Sequence, residues 1–167
     1  RNPGVYEVPF DGTLEELIER AGGLPDGREL QAVLLGGAAG SFVTPAQVGL
    51  PLTFEATRAA GVSLGSGVVM LFDDTDDLGD ALRRISAFFR HESCGQCVPC
   101  RVGTVRQEEL LRRLTAGEPT SGDAAADLAL LGDVGRAMRD ASICGLGQTA
   151  SSAIESAIRA GLVRFDG

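Results

Sequence analysis

Four cysteines constrain this chain more than any other feature, because three are evenly spaced and the fourth lies in a separate segment. Cys94, Cys97 and Cys100 form a C-x2-C-x2-C motif, and Cys144 is the remaining cysteine of the four in the chain. Thiolates at this spacing can surround one side of a metal centre, while a remote thiolate completes it. We therefore expect a fold that brings the two segments together around one site.

Several kinds of site compete for this spacing. A [4Fe–4S] cluster needs four thiolates spread over its surface, which three close cysteines and one remote cysteine provide. A zinc site of four cysteines usually combines two C-x2-4-C pairs, so zinc fits the pattern less well. Two disulfides suit an even number of cysteines, but the rest of the chain does not look secreted. A thioredoxin-like C-x-x-C lacks its strand context. The spacing favours the cluster and leaves zinc as the main alternative.

The residues around the first three cysteines suit an anionic centre. Gly95 permits unusual backbone angles, and Pro99 is expected to stiffen the loop. Arg101 and the N-terminus of the following helix would lie close to a cluster and help to hold it. Backbone N–H groups in such a loop can donate to cluster sulfurs and tune the potential.

The first part of the chain predicts a small sheet crossed by one helix. Residues 5–10 alternate apolar and other side chains, which is typical of a strand. Thr13 and Glu16 form a capping-box pattern that predicts a helix directly after this strand. The short apolar runs 32–35 and 68–72 read as central strands. Together these elements favour an α+β domain.

The second part predicts four helices, from apolar residues at helical spacing. The first begins at Leu78 and includes Phe88 and Phe89, which we expect to pack in the core. The others are expected near residues 103–114, 123–139 and 150–162. Four helices of this length form a compact bundle with short loops, which can bring both cysteine segments to one end. The predicted domains are residues 1–73 and 74–167.

Composition excludes several classes of protein. The net charge is −8, and an acidic chain argues against nucleic acid as a partner. No apolar run reaches the ~18–20 residues of a membrane helix, and the first residues lack the plan of a signal peptide. We therefore expect no direct membrane insertion. Position 1 is Arg, so we expect the chain to be part of a longer subunit.

Three further motifs receive simpler explanations. Residues 145–150 match G-x-G-x-x-A, but a dinucleotide site needs a strand before this loop and another after the helix. Residues 65–67 precede a predicted strand, so a turn explains them better than a phosphate loop. His91 is the one histidine in the chain, and it is expected at an exposed helix end. A single histidine in this setting supports no hydrolytic triad.

The cysteine segments resemble one known family. Residues 89–104 (FRHESCGQCVPCRVGT) look like the cluster-binding segment of the flavin-containing subunit of respiratory complex I. The same segment occurs in NAD-linked formate dehydrogenase beta and NAD-reducing hydrogenase diaphorase subunits. Residues 142–147 (SICGLG) resemble the family's fourth-ligand segment, and residues 64–70 (LGSGVVM) resemble the entry to its last β-grasp strand. The resemblance covers nearly the whole chain.

This resemblance implies a ubiquitin-like β-grasp domain followed by a four-helix bundle that binds an iron–sulfur cluster. In the family, the cluster exchanges electrons with FMN that is reduced by NADH. The flavin- and NAD(H)-binding domain would precede residue 1, so FMN and NAD(H) are expected there and not in this chain. Other subunits of a multi-subunit redox complex are the expected partners. The expected location is cytoplasmic, including the cytoplasmic face of a membrane reached through partner subunits.

Our hypothesis is therefore an electron-transfer module within an NAD(H)-dependent oxidoreductase subunit of NADH dehydrogenase or NAD-linked formate dehydrogenase type. Cys94, Cys97, Cys100 and Cys144 are the predicted ligands of a [4Fe–4S] cluster. This chain alone is expected only to carry electrons, with no catalytic residue of its own. The alternative is a zinc-stapled β-grasp and helical interaction module without a redox role.

Overall fold

The computed structural model describes residues 1–120 and 123–165, and the chain divides into two compact units, Arg1–Asp76 and Asp77–Gly167. The first unit is a small antiparallel sheet with short helices, and the second is helical. In chain order the first unit contains α1 (Leu14–Arg20), β1 (Leu30–Leu35), β2 (Ser41–Val43), α2 (Phe54–Ala59) and β3 (Val69–Asp73), with 3-10 turns at Gly37–Ala39 and Pro45–Gln47.

Helix α1 begins where the capping-box pattern predicts it. The Glu16 N–H donates to the Thr13 hydroxyl at 3.2 Å, and the Glu16 carboxylate accepts from the Thr13 N–H at 2.9 Å. Two N–H groups that the helix would leave unpaired are thereby satisfied. Leu14 then points into the core of the first unit and is fully buried.

The sheet has the order β2-β1-β3, with both pairs antiparallel. Strand β1 is central, as the apolar run 32–35 predicts, and Val33 lies opposite both Val43 and Leu71. The run 68–72 also forms a strand, but β3 lies at an edge of the sheet among the described residues. Met70 on β3 is accordingly 46% exposed. The core of this unit consists of Leu14, Val33, Leu35, Val43 and Leu52.

The strand predicted over residues 5–10 is wrong. These residues form no strand in the described structure, and Val5 is fully exposed. The Gly12 N–H instead donates to the Pro9 carbonyl at 3.2 Å and closes a turn. Phe10 packs its ring against Phe54, with ring centres 5.2 Å apart. Alternating side chains are not sufficient for a strand, because a strand also needs a ladder partner, and Pro9 has no N–H to donate.

Within residues 77–120 and 123–165, the second unit has three long helices and two short ones. These are α3 (Leu78–Glu92), α4 (Val98–Ala116), α5 (Ala124–Ala141), α6 (Gly145–Thr149) and α7 (Ser152–Arg159). Helix α4 begins earlier than the predicted residue 103, because Pro99 suits the first turn of a helix. The fourth predicted helix, residues 150–162, corresponds to α7 and the junction before it. Within residues 1–120 and 123–165, none of the helices is both long and apolar enough to cross a membrane.

A buried glutamine stabilises the junction between α6 and α7. The amide of Gln107, on α4, donates to the Ala150 carbonyl at 3.0 Å, and both residues are fully buried. A helix end leaves carbonyl groups without partners, and such groups are costly when buried. Gln107 therefore fixes the end of α6 relative to α4.

Phe88 and Phe89 do not pack alike, which corrects the expectation that both lie in the core. Phe89 is 2% exposed, whereas Phe88 is 48% exposed. Successive residues of a helix point about 100° apart, so adjacent side chains cannot both face the same neighbour. The two rings contact each other edge to face, with centres 5.4 Å apart.

Leu111 provides a test of the helical core. Its side chain is fully buried in α4, so Leu111→Ala should lower the free energy of unfolding by about 2–5 kcal/mol, through lost burial and the cavity left behind. Leu130 on α5 is 48% exposed, and Leu130→Ala should cost about 1 kcal/mol at most. Urea unfolding followed by circular dichroism measures both. Equal losses would contradict this packing.

Candidate iron–sulfur site

The cysteines lie at the ends of helices in the second unit. Cys94 follows the end of α3, Cys97 is the N-cap residue of α4, and Cys100 lies in the first turn of α4. Cys144 is the N-cap residue of α6. Neither Cys97 nor Cys144 caps its helix with a side-chain hydrogen bond. The positive end of the helix dipole is therefore directed toward the cysteines in both segments.

The Cys144 segment lies directly against the Cys94–Cys100 segment. Gly147 on α6 is buried, and a Cβ atom built on it would lie 2.8 Å from the Cβ of Cys100 and 2.6 Å from that of Ser142. From the other direction, the backbone N–H of Ile143 donates to the sulfur of Cys97. The structure thus brings together the two segments that are separate in the sequence.

The surroundings of Cys97 favour its thiolate form. Its pKa lies below the usual value, chiefly because the backbone N–H of Ile143 donates to the sulfur and the N–H of Cys100 does so as well. Partial burial opposes this effect, while the nearby Ser142 hydroxyl adds to it. The thiolate is the form that binds metal. Cys97 is therefore prepared to act as a ligand by donors from both segments.

Two serines lie beside cysteine sulfurs, and sequence reasoning missed both as site residues. The Ser93 Oγ is 3.3 Å from the Cys100 Sγ. Ser142 is 7% exposed, and its Oγ has no partner in hydrogen-bonding geometry although it lies near the Cys97 sulfur. Each serine comes within two residues of a cysteine, a proximity in the sequence that could have marked it.

The four thiols differ in exposure, and none is paired in a disulfide. Cys100 is buried, Cys97 is half-buried, and Cys94 and Cys144 are exposed. Solvent therefore reaches Cys94 and Cys144 but not Cys100. The structure therefore does not contain the two disulfides that an even number of cysteines allows.

The described residues do not form a compact site for a single metal ion. Four thiolates that bind one zinc ion at about 2.3 Å each would form a compact group. Within residues 1–120 and 123–165, no three His, Cys, Asp or Glu side chains are close enough to share one metal ion. In an iron–sulfur cluster the cysteines are spread over several irons, which needs a wider arrangement. The cysteine sulfurs can bind iron, and the N–H groups of Ile143 and Cys100 donate to one of these sulfurs. Gly147 allows the two cysteine segments to pack closely. These features fit an iron–sulfur centre.

Other residues singled out from the sequence have local roles. Gly95 has a φ of +73°, which glycine adopts most easily, so it allows the tight turn between Cys94 and Cys97. Pro99 lies in the first turn of α4 and not in a loop, which corrects its predicted role. Arg101 is exposed on α4. His91 lies in the last turn of α3 and is exposed, as expected.

The two glycine motifs have structural explanations. Residues 145–150 come directly after α5 and Cys144, so a helix and not a strand precedes them, and Gly145–Thr149 form the short helix α6. The Gln148 amide donates to the Ser142 carbonyl at 2.9 Å and holds the turn around Cys144. Gly65 and Gly67, with φ of +50° and +77°, form a turn that leads into β3.

The comparisons with known proteins agree with this site. Residues 80–161 match the NADH-ubiquinone oxidoreductase-F iron-sulfur binding region, and this range includes all four cysteines. Residues 1–39 match the SLBB domain.

Relatives with similar sequences include an NADH-quinone oxidoreductase subunit of Mycobacterium tuberculosis, 36% identical over 94% of this chain and 34% of the relative. The corresponding subunit of Escherichia coli is 40% identical over 74% of this chain and 28% of the relative. The NADP-reducing hydrogenase subunit HndC of Solidesulfovibrio fructosivorans is 34% identical over 93% of this chain and 31% of the relative. The chain spans about a third of the length of these relatives.

The fold is also that of a known enzyme subunit. A crystal structure of an NAD+-reducing [NiFe]-hydrogenase in the H2-reduced state matches with a TM-score of 0.81 and 32% identity, over 98% of this chain and 28% of that chain. The fold, the cysteine geometry and both domain matches lead to one conclusion. Residues 80–161 carry the NADH-ubiquinone oxidoreductase-F iron-sulfur binding region, and residues 1–39 match the SLBB domain that precedes it in this chain.

Proposed function

We propose that Cys94, Cys97, Cys100 and Cys144 bind a [4Fe–4S] cluster, and that this chain carries electrons between NADH-linked FMN and further iron–sulfur centres. The observation that supports this most directly is the contact between the two cysteine segments. Gly147 packs against Cys100, and Ile143 donates to the Cys97 sulfur. When bound, such a cluster accepts and releases one electron at a time.

The protein contributes binding, orientation and shielding. The N–H groups of Ile143 and Cys100 stabilise negative charge on the Cys97 sulfur, which favours the thiolate that binds metal over the neutral thiol. Cys100 is buried, with Gly147 of α6 packed against it, and this packing limits the access of water from that side. Cys94 and Cys144 are exposed, so an electron donor or acceptor can approach the site at these two residues.

We extend the proposal, on the evidence of the relatives, to the cofactors and partner subunits that would exchange electrons with this chain. FMN and NAD(H) would be bound by other regions of the subunit, because the relatives are about three times as long as this chain. Partner subunits of a redox complex, of NADH dehydrogenase, hydrogenase or formate dehydrogenase type, would exchange electrons with the cluster. We propose a cytoplasmic location. We also propose that residues 1–73 form a β-grasp domain and residues 74–167 a four-helix, cluster-binding domain.

Anaerobic reconstitution with iron and sulfide tests the proposal. We expect broad visible absorption, close to four irons and four sulfides per chain as a [4Fe–4S] cluster requires, and an EPR signal after reduction with dithionite. A matched variant with all four cysteines changed to alanine should show none of these. The chain alone should neither bind FMN nor oxidise NADH.

The zinc alternative predicts a different result in the same experiment. A zinc-stapled module would bind one zinc ion tightly, acquire no visible chromophore and give no EPR signal after reduction. That outcome, or diaphorase activity from this chain alone, would contradict the proposed function.

A further inference from the structure

Two serine hydroxyls flank the sulfurs of predicted ligands, one from each cysteine segment. Ser93 is the C-cap residue of α3, and its Oγ lies 3.3 Å from the Cys100 Sγ. Ser142 is the C-cap residue of α5 and precedes Cys144 by two positions. Neither hydroxyl is a ligand in the proposed site, so each needs a separate explanation.

The direction of the Ser93 hydrogen bond follows from chemistry. A cysteine that binds iron is a thiolate and has no proton to donate. The serine hydroxyl has one proton and two lone pairs. The Gly95 N–H donates to the Ser93 oxygen at 3.4 Å, which leaves the hydroxyl proton available for the sulfur. Ser93 is therefore the donor and the Cys100 sulfur the acceptor.

Ser142 is a buried hydroxyl that lacks a partner. It is 7% exposed, and its Oγ forms no hydrogen bond within the described residues. A buried polar group without a partner destabilises the protein unless something satisfies it. Ser142 lies against Gly147 together with Cys100, and it is also near the Cys97 sulfur. A sulfur of the occupied site is the acceptor that this position offers.

We propose that Ser93 and Ser142 tune the reduction potential of the cluster by donating hydrogen bonds to the sulfurs of Cys100 and Cys97. This inference rests on the proposed function. Reduction adds one electron, which increases the negative charge on the sulfurs, while the protons stay on the serine oxygens. Hydrogen bonds to a more negative acceptor are stronger. The two hydroxyls thus favour the reduced state and raise the potential.

EPR-monitored redox titration of the reconstituted protein tests this inference. In Ser93→Ala and in Ser142→Ala, the ratio of reduced to oxidised cluster at a fixed potential should fall by about three- to tenfold, with the larger change in the double variant. Ser93→Thr and Ser142→Thr keep the hydroxyl and should restore the wild-type potential. Ser86→Ala is the matched control, since this buried serine of α3 donates to the Arg83 carbonyl at 2.8 Å.

The results of the titration distinguish a tuning role of the two serines from a purely structural one. An unchanged potential in both alanine variants, a shift to higher potential, or threonine variants that behave like alanine would overturn the inference. Alanine variants that bind no cluster would also count against it, because a tuning hydrogen bond should change the potential and not the occupancy. The iron and sulfide content of the wild-type protein is measured first. A wild-type chain without a cluster contradicts the proposed function, whereas a normal cluster with an unshifted potential contradicts only the tuning role.

Discussion

Cys144→Ala is expected to abolish cluster binding as completely as Cys97→Ala does. The two residues come from separate segments, but both are N-cap residues of helices that meet at one site. Loss of an outer partner of a metal ligand already lowers affinity by about 10- to 100-fold, so loss of a ligand should cost more. Iron and sulfide per chain, with visible absorption, should fall to roughly a tenth of wild type or less after anaerobic reconstitution.

Ile143→Ala is the matched control for this experiment. Ile143 is adjacent to Cys144 and 73% exposed, and its alanine variant keeps the backbone N–H that donates to the Cys97 sulfur. It should bind a normal amount of cluster. If Cys144→Ala retained the wild-type content of iron and sulfide while Cys97→Ala lost it, Cys144 would not be the fourth ligand.

Gly147→Ala is expected to separate the two cysteine segments although it adds a single methyl group. The new Cβ would lie 2.6 Å from the Cβ of Ser142 and 2.8 Å from that of Cys100, distances that real Cβ atoms do not tolerate. The clashing atoms are next to the backbone and cannot rotate away, so α6 must move from α4. Overpacking of this kind costs about 1–3 kcal/mol. Cluster content after reconstitution should fall severalfold, and the unfolding midpoint in urea should fall with it.

Gly145→Ala and Gly132→Ala are the controls for this prediction. No atom lies within 4 Å of a Cβ built on either glycine, and both glycines are in helices. Alanine favours a helix over glycine by up to about 1 kcal/mol, so these variants should keep the cluster and unfold at the same or a higher urea concentration. A Gly147→Ala protein with normal cluster content would show that the segments do not need this close contact.

Much of the local structure could be predicted because its causes are local. The Thr13–Glu16 capping box acts within four residues, and it defines the start of α1. The apolar run 32–35 is buried on the central strand. Residues 5–10 show the limit of this reasoning, because their alternation could not reveal whether a strand partner exists. Phe88 shows a similar limit, since helical spacing alone placed it in the core.

The sequence by itself determined which residues could form the site, since the spacing of Cys94, Cys97 and Cys100, with a remote Cys144, predicts four thiolates around one centre. Only the tertiary structure decided how those thiolates are surrounded. The contact of Gly147 with Cys100, the N–H of Ile143 at the Cys97 sulfur, and the hydroxyls of Ser93 and Ser142 all arise where helix ends meet. Such contacts depend on packing between residues far apart in the chain, so the spacing of residues along the sequence cannot predict them.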